Sequence, residues 1–265
     1  MPQLWKLYTT YRDSHTGADK GRTYDEYYAT NPYEIVEWSL EKQLLKQFVS
    51  THFENRDVHL LDFACGTGRL TEFLEGFATT SVGVDLSEPM LDRAREKLKR
   101  TELVQADLTK NNVLKDRKFN LITAFRFFLH AEWPLRLAVI EVLADLLTDD
   151  GYLVFNNHRH RAAPWLIFAW SVSDRRFQQP RRYLMMSKQE MLRVANHAEL
   201  CITQTLHLGV VCPPLVSILP ESLTHRIESV AAKFRIFGPF SQNLIAVCQH
   251  RQQALLQRSA PVAHD

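Results

Sequence analysis

Apolar and polar positions alternate with a regular rhythm between residues 58 and 157. Short apolar runs are each followed by a longer stretch whose apolar residues recur at helical spacing, as Leu70, Phe73 and Phe77 do. The short runs predict buried strands, and the longer stretches predict amphipathic helices. The predicted strands are Val58–Ala64, Thr80–Asp85, Leu103–Asp107, Phe119–Phe125 and Tyr152–Asn157. Strands that alternate with helices predict a parallel, doubly wound α/β sheet with both faces covered.

The segments outside this rhythm predict the domain organisation. A helix predicted from Pro32 to about His52 assigns the N-terminal residues to a helical cap packed on the sheet. Two further predicted strands, Cys201–Leu208 and Gln242–Cys248, extend the main domain. The full division is a cap over residues 1–55, a main domain over 56–250 with insertions at about 159–186 and 210–240, and a tail over 251–265 predicted to be disordered.

Composition and charge restrict the class of protein. With 45% hydrophobic residues, 23% charged residues and a net charge of +2, the chain has the composition of an ordinary globular protein. Its Lys and Arg residues are spread along the chain, so a dedicated nucleic-acid binder is not expected. The sequence contains neither a signal-peptide core nor an apolar run of about 18 residues, which predicts a cytoplasmic protein without a transmembrane segment.

The cysteines predict neither a disulfide framework nor a metal site. Cys65, Cys201, Cys212 and Cys248 are never at C-x-x-C spacing, and no Cys/His set has the spacing of zinc ligands. The pattern is typical of free thiols in a reducing compartment, and no metal is expected.

The stretch from Leu60 to Gly68 predicts a cofactor site. Its apolar run ends at two glycines, and a helix-like pattern begins at Arg69. In open α/β sheets a junction of this kind, between a buried strand and a helix, is where a cofactor binds. Asp85 ends the next predicted strand, at a position where an acid binds ribose hydroxyls.

Three features indicate an adenosyl ligand without phosphate. The third glycine of the dinucleotide fingerprint is absent, since Thr71 stands where it would fall. Asp62, inside the first strand, suits a cationic amino group rather than a pyrophosphate. Asp107, after the third strand, can accept a hydrogen bond from an adenine amino group. S-adenosylmethionine has a ribose, an adenine and an α-amino group but no phosphate, so it fits this pattern.

Taken together, these motifs resemble those of the class I S-adenosylmethionine-dependent methyltransferases. The matching residues are Asp62-x-x-x-Gly66-x-Gly68, the run Val-Gly-Val-Asp-Leu-Ser-x-x-Met from Val82 to Met90, and Ala106-Asp107-Leu108. The resemblance implies a Rossmann-like, seven-stranded sheet of order 3-2-1-4-5-7-6 with the last strand antiparallel, an N-terminal helical cap and a lid insertion. It also implies S-adenosylmethionine as cofactor and S-adenosylhomocysteine as product, bound across the carboxyl ends of strands one to four.

The resemblance also implies a role for each matching residue. The methionine part of the cofactor would be lined by Asp62, Phe63, Gly66 and Gly68, with Phe125 beneath it. Ribose and adenine would be held by Asp85, Leu86 and Met90, and the adenine edge would be flanked by Asp107 and Leu108.

Candidate residues for the acceptor follow the fourth and fifth predicted strands. The segment after Phe125 lacks the Asn/Asp-Pro-Pro-Tyr signature of amino methyltransferases. His130 is a candidate general base, and the alternative is a histidine that supports its loop. His158 and His160 are alternative bases past strand five. These histidines favour oxygen as the methylated atom.

Four further residues are candidates for binding the acceptor. Arg126 would pair with an acidic group of the substrate or cofactor, or form a structural salt bridge. Tyr24 and Tyr27 would line a pocket, or only bury aromatic area. Trp165 lies in the lid insertion, where aromatic and arginine residues suit an apolar wall beside an anion or, alternatively, a lipid-linked acceptor.

The sequence therefore predicts a methyltransferase acting on a small or medium-sized metabolite, with oxygen favoured. One alternative is an RNA methyltransferase that uses the arginine-rich insertion. Another is a non-catalytic module that binds S-adenosylmethionine. The oligomeric state stays open between monomer and homodimer.

Overall fold

The fold is built on one seven-stranded β-sheet. A computed structural model of the protein describes residues 10–14, 20–158, 186–216, 218–231, 234, 238 and 240–259. The strands are β1 (His59–Phe63), β2 (Thr80–Asp85), β3 (Glu102–Gln105), β4 (Phe119–Ala124), β5 (Leu147–Asn157), β6 (Leu200–Leu208) and β7 (Asn243–His250). They lie in the order β3-β2-β1-β4-β5-β7-β6, which confirms the predicted topology.

Among the described strands, β7 alone runs in the direction opposite to the other six. β1 pairs in parallel with β2 and with β4. β2 also pairs in parallel with β3, and β4 pairs in parallel with β5. β7 pairs antiparallel with both β5 and β6. The carboxyl ends of β1 to β5 therefore meet at one edge of the sheet, where ligands bind in folds of this type.

Helices cover the sheet on both faces. They are α1 (Tyr11–Ser14), α2 (Lys20–Thr30), α3 (Pro32–His52), α4 (Arg69–Leu74), α5 (Glu88–Lys97), α6 (Trp133–Leu146), α7 (Lys188–His197), α8 (Pro213–Val216), α9 (Glu221–Ala231) and α10 (Arg251–Ser259). Within the described helices, none is both long enough and apolar enough to cross a bilayer.

Two apolar layers form the core, one on each face of the sheet. Leu61 and Ile122 point into the layer that contains α6 and α7, whereas their neighbours Leu60 and Leu121 point into the layer that contains α3 and α4. Successive side chains of a strand point to opposite faces, so both positions are apolar when both faces are covered. This explains the continuous apolar strands.

The helix α3 has the bounds that the sequence predicts. Asn31 caps it, with Oδ1 accepting from the backbone nitrogens of Tyr33 at 3.0 Å and Glu34 at 3.3 Å, and Pro32 occupies the first turn. Near its start the apolar side chain of Ile35 is 40% exposed. The face that meets the domain there carries glutamates instead.

The prediction of a disordered tail over 251–265 is wrong for Arg251–Ser259, which form α10. The helix continues directly from β7, the backbone nitrogen of Arg251 donates to the carbonyl of Glu199 at 2.9 Å, and Ala254 is buried. The burial of Ala254 and the hydrogen bond at the start of the helix hold this segment against the rest of the fold.

All four cysteines are free thiols. Cys65 and Cys248 are buried, whereas Cys201 and Cys212 are half-buried. Burial raises the pKa of the Cys65 and Cys248 thiols above the ordinary value.

Candidate cofactor and acceptor site

The glycine turn after β1 requires left-handed backbone. Gly66 has φ +56° and Gly68 has φ +78°, both in the region that glycine adopts without strain. A Cβ atom on Gly68 would lie 3.1 Å from both Ala94 Cβ and Leu98 Cδ1. The turn therefore brings the start of α4 close to α5, and a side chain at this position would push them apart.

Asp62 supports the turn from inside β1. Its Oδ2 accepts a hydrogen bond from Thr71 Oγ1 at 2.5 Å, and its Oδ1 accepts one from Thr123 Oγ1 at 2.7 Å. Burial raises the pKa of Asp62 to about 6, although the two hydroxyl groups act in the opposite direction. Because Asp62 is buried and each of its oxygens has a partner, the structure gives it a positioning role, and direct contact with the ligand stays a prediction.

Asp85 joins two segments at the ends of β1 and β2. Its Oδ2 accepts from the backbone nitrogen of Gly66 and its Oδ1 from that of Ser87, each at 2.8 Å. The carboxylate thereby fixes the glycine turn relative to the start of α5.

A cleft of about 450 Å³, including space open to solvent, lies at the carboxyl ends of β1, β2 and β3. Five of its lining residues were predicted from the sequence: Phe63, Asp85, Leu86, Asp107 and Leu108. Its size and its mainly apolar walls suit a small organic ligand. The other predicted cofactor residues do not line the cleft: Asp62, Gly66, Gly68, Met90 and Phe125. Gly66 is one step away, because its backbone nitrogen donates to the cleft residue Asp85.

The opposite wall of the cleft comes from α1, which the sequence analysis missed. Tyr11 and Arg12 line the cleft together with Phe127. Arg12 Nε donates to Asp107 Oδ2 at 2.7 Å, and Arg12 Nη2 donates to Thr109 Oγ1 at 2.7 Å. No hydrophobic period marks a helix of four residues, so the sequence offered only a tyrosine and an arginine in a charge-rich segment.

The environment of Asp107 favours its charged form. Burial alone would raise its pKa, but hydrogen bonds from Arg12 and Thr109 lower the pKa below the ordinary value. Thr109 Oγ1 lies 2.6 Å from Asp107 Oδ1. The carboxylate is therefore available as a hydrogen-bond acceptor at the cleft.

Arg126 lies two residues after the end of β4, in a buried acidic cluster. This cluster consists of Arg126, Glu34, Glu37 and Glu41, all of which are buried. Arg126 Nη1 lies 3.1 Å from Glu34, and Nη2 lies 3.4 Å from Glu37 and 3.7 Å from Glu41. The guanidinium group is therefore held by acids of the cap, as in the structural alternative that the sequence left open.

The acidic cluster also fixes the backbone at the end of β4. Arg126 has φ +60°, and its backbone nitrogen donates to Asn156 Oδ1 at 2.6 Å. Asn156 and Asn243 in turn donate to Glu41 Oε1, at 3.3 Å and 2.9 Å. Burial raises the pKa of Glu37 to about 8, and Arg126 opposes that shift. Because three carboxyl groups surround a single guanidinium group, the cluster favours a proton bound to one of the carboxyl groups.

Tyr28 is the central tyrosine of α2, and the sequence analysis did not include it among the candidate site residues. Tyr28 accepts a hydrogen bond from Arg126 Nη1 at 2.9 Å, and the guanidinium carbons of Arg69 and Arg126 lie 4.2 Å and 4.6 Å from its ring. Tyr24 packs on Tyr28 with ring centroids 4.3 Å apart, whereas Tyr27 is 45% exposed. Binding of substrate by Tyr24 and Tyr27 stays a prediction.

The two described candidate bases are neighbours. The rings of His130 and His158 lie 5.4 Å apart between centroids, with His158 buried and His130 half-buried. The structure thus brings together residues that follow β4 and β5. His160, Trp165 and the predicted lid insertion lie outside the described residues. In the part of the chain that the structure describes, no three His, Cys, Asp or Glu residues are grouped to hold a metal ion.

Comparisons with known proteins identify the domain. Residues 60–151 match the family model described as "Methyltransferase domain". Over these residues the chain is similar to methyltransferases, which agrees with its resemblance to the class I S-adenosylmethionine-dependent methyltransferases. The lining of the cleft, with its mainly apolar walls and the carboxylates of Asp85 and Asp107, is compatible with S-adenosylmethionine.

Curated relatives of this methyltransferase domain share part of their length with the chain. A malonyl-[acyl-carrier protein] O-methyltransferase of Priestia megaterium is 31% identical over 140 residues, covering 51% of this chain and 47% of the relative. A ubiquinone biosynthesis O-methyltransferase of Coxiella burnetii is 28% identical over 113 residues, covering 42% and 47%. The chain thus spans about half the length of the curated relatives it matches.

A solved structure shows the same fold over most of the chain. Magnesium protoporphyrin IX methyltransferase from Synechocystis PCC 6803, solved with bound S-adenosylhomocysteine, aligns with a TM-score of 0.64 and 15% identity. The alignment covers 89% of this chain and 96% of that protein. At this identity the likeness concerns the architecture of the methyltransferase domain.

Proposed function

We propose that the protein transfers a methyl group from S-adenosylmethionine to a small or medium-sized metabolite, at an oxygen atom. The observation that carries the proposal is the cleft at the carboxyl ends of β1 to β3, with Asp85 and Asp107 on its wall. When bound, the cofactor supplies a methyl group on a sulfonium, which becomes the thioether of S-adenosylhomocysteine.

The residues of the cleft bind and orient the adenosyl group. Asp85 would accept from the ribose hydroxyls, while Asp107 and the Leu108 backbone would hold the adenine edge. Tyr11 and Phe127 enclose this space with aromatic surface, their ring centroids 4.9 Å apart. Holding donor and acceptor in line is the main contribution that an enzyme makes to a displacement of this kind.

The preference for oxygen rests on the histidine pair and on two relatives. A hydroxyl acceptor must lose its proton, and His130 or His158 receives it as general base. The relatives from Priestia megaterium and Coxiella burnetii are both named as O-methyltransferases. His160, in the same sequence run as His158, remains a third candidate base. The proposal includes a small-molecule acceptor, no nucleic acid and a cytoplasmic location.

Calorimetry with S-adenosylhomocysteine tests the cofactor part of the proposal. The parent should bind, and Asp85→Ala should reduce affinity at least tenfold, on the order of 1.4 kcal/mol, since a charge-assisted hydrogen bond is lost. Asp92→Ala is the matched control, because Asp92 is an exposed acid of α5 paired with Arg95. Absence of binding by the parent would contradict the proposal.

A methyl-transfer assay over a panel of hydroxyl, carboxyl and amine acceptors tests the reaction. His130→Ala or His158→Ala should reduce turnover about 100-fold, a typical contribution of general base catalysis. His197→Ala serves as control, because this histidine pairs with Glu141 on the surface. Full turnover in all histidine variants would exclude the base role. Salt-dependent RNA binding would favour an RNA methyltransferase, and cofactor binding without turnover a non-catalytic module.

A further inference from the structure

The short helix α1 bridges the opening of the cofactor cleft. On one side, Arg12 contacts Asp107 and Thr109, which follow β3. On the other side, the backbone nitrogen of Tyr11 donates to Glu132 Oε2 at 3.2 Å, and the Tyr11 ring packs edge-on against Phe127. Because the two sets of contacts lie on opposite walls, α1 crosses the space between them.

On the Arg12 side, the bridge is formed with the carboxylate of Asp107. Asp107 Oδ1 accepts from Thr109 Oγ1 at 2.6 Å and from Arg12 Nη2 at 3.4 Å, and Asp107 Oδ2 accepts from Arg12 Nε at 2.7 Å. This two-pronged geometry is specific to a guanidinium group. The Arg12 and Asp107 side chains are 30% and 15% exposed, so solvent screens the pair only in part.

Asp107 also faces the cofactor space, and this couples the bridge to the ligand. Asp107 Oδ1 accepts from Thr109 Oγ1, from the Thr109 backbone nitrogen and from Arg12 Nη2, whereas Oδ2 accepts from Arg12 Nε and lies 4.0 Å from Lys110 Nζ. Of the two oxygens, Oδ2 therefore has more room to accept a further hydrogen bond. An adenine amino group placed there shares this oxygen with the guanidinium group. Bound cofactor and α1 would therefore meet at the same carboxylate, with Tyr11 and Arg12 of α1 lining the cleft.

We propose that Arg12 is a positioning residue that fastens α1 over the bound cofactor through Asp107 and thereby sets the rate of cofactor exchange. The proposal rests on S-adenosylmethionine binding under the proposed function. Because cofactor and product pass the same opening, loosening α1 speeds both their entry and their release. The closure acts on the bound adenosyl group, so it does not depend on which acceptor the protein uses.

Exchange kinetics of labelled S-adenosylhomocysteine, chased with excess unlabelled ligand, test this proposal. Arg12→Ala should release the ligand about tenfold faster and bind it faster, the scale expected for one charge-assisted hydrogen-bond pair. Arg12→Lys should fall between Arg12→Ala and the parent, since lysine keeps the charge and loses the fork. Arg22→Ala is the matched control, because Arg22 forms an exposed pair with Glu26 on α2.

The outcomes separate this proposal from the proposed function. Release rates of Arg12→Ala equal to those of Arg22→Ala would overturn the role of Arg12 while leaving cofactor binding intact. Slower release and tighter binding in Arg12→Ala would also overturn it, because Arg12 would then compete with adenine instead of enclosing it. No binding by the parent would contradict the proposed function first. The unliganded melting temperature of Arg12→Ala should lie within about 4 °C of that of Arg22→Ala, the scale expected for the loss of one ion pair, which separates closure from a general loss of stability.

Discussion

Thr71 Oγ1 donates a hydrogen bond to Asp62 Oδ2 over a distance of 2.5 Å. Thr71 is in the first turn of α4, and Asp62 is inside β1, so the bond joins the two elements on either side of the glycine turn. A dinucleotide-binding fold places a glycine at the position of Thr71. In this protein the same position supplies a hydroxyl group that holds a buried carboxylate.

We expect Thr71→Val to destabilise the protein by about 1–3 kcal/mol, because it leaves one oxygen of a buried carboxylate without its donor. Denaturant unfolding at pH 7 measures the change. Thr30→Val is the control, since the hydroxyl of Thr30 donates to the Glu26 carbonyl on an exposed helix. Its effect should stay within about 0.5 kcal/mol. Equal stability of Thr71→Val and Thr30→Val would show that the bond does not support the turn.

Glu37 should make the stability of the protein depend on pH. Its folded-state pKa of about 8 lies above the ordinary value of 4.5, so the folded state binds the proton more tightly than the unfolded state. Its contribution is therefore fully present at low pH. It falls as pH rises from about 4.5 to about 8, by up to about 1.4 kcal/mol per pH unit, and is constant above pH 8.

Glu37→Gln should remove that part of the pH dependence, because the amide cannot ionise. The difference is measured from the unfolding free energies of parent and variant at several pH values between about 4.5 and about 8. Glu26→Gln, at a 63% exposed side chain of α2, should keep the slope of the parent. A variant slope as steep as that of the parent would assign the proton to another group of the acidic cluster.

Gly68→Ala should weaken both folding and cofactor binding. The left-handed backbone costs about 1–2 kcal/mol for a residue with a side chain, and the new methyl group would press on Ala94 and Leu98. Melting temperature and calorimetry with S-adenosylhomocysteine measure the two effects. Gly76→Ala is the matched control, since a Cβ atom there meets only the Phe73 carbonyl oxygen, at 3.5 Å. If the two variants behave alike, the conformation of the glycine turn does not limit binding.

The sheet and one wall of the cleft could be predicted because their signals are local. Apolar runs ending in Asp85 or preceding Asp107 place these acids at the carboxyl ends of parallel strands, and this topology brings the ends together. The other wall could not be predicted, because Arg12 and Asp107 are 95 residues apart in the sequence. A helix of one turn has no hydrophobic period to reveal it.

The acidic cluster was missed for a different reason. Periodicity identifies the buried face of a helix by its apolar residues, and on α3 that face carries Glu34, Glu37 and Glu41 near Arg126. Burial of charge is stable only beside an opposite charge or a bound proton. That partner is Arg126, which follows β4, and no local pattern in the sequence of α3 predicts it.

The uneven burial of the four thiols makes the protein suitable for site-directed labelling. Thiol-reactive dyes need an accessible thiol, and Cys65 and Cys248 are buried whereas Cys201 and Cys212 are half-buried. Neither of the two half-buried positions lines the cleft. A fluorophore or spin label attached at one of them, with the other replaced by serine, would report on the chain while the glycine turn keeps its native side chains.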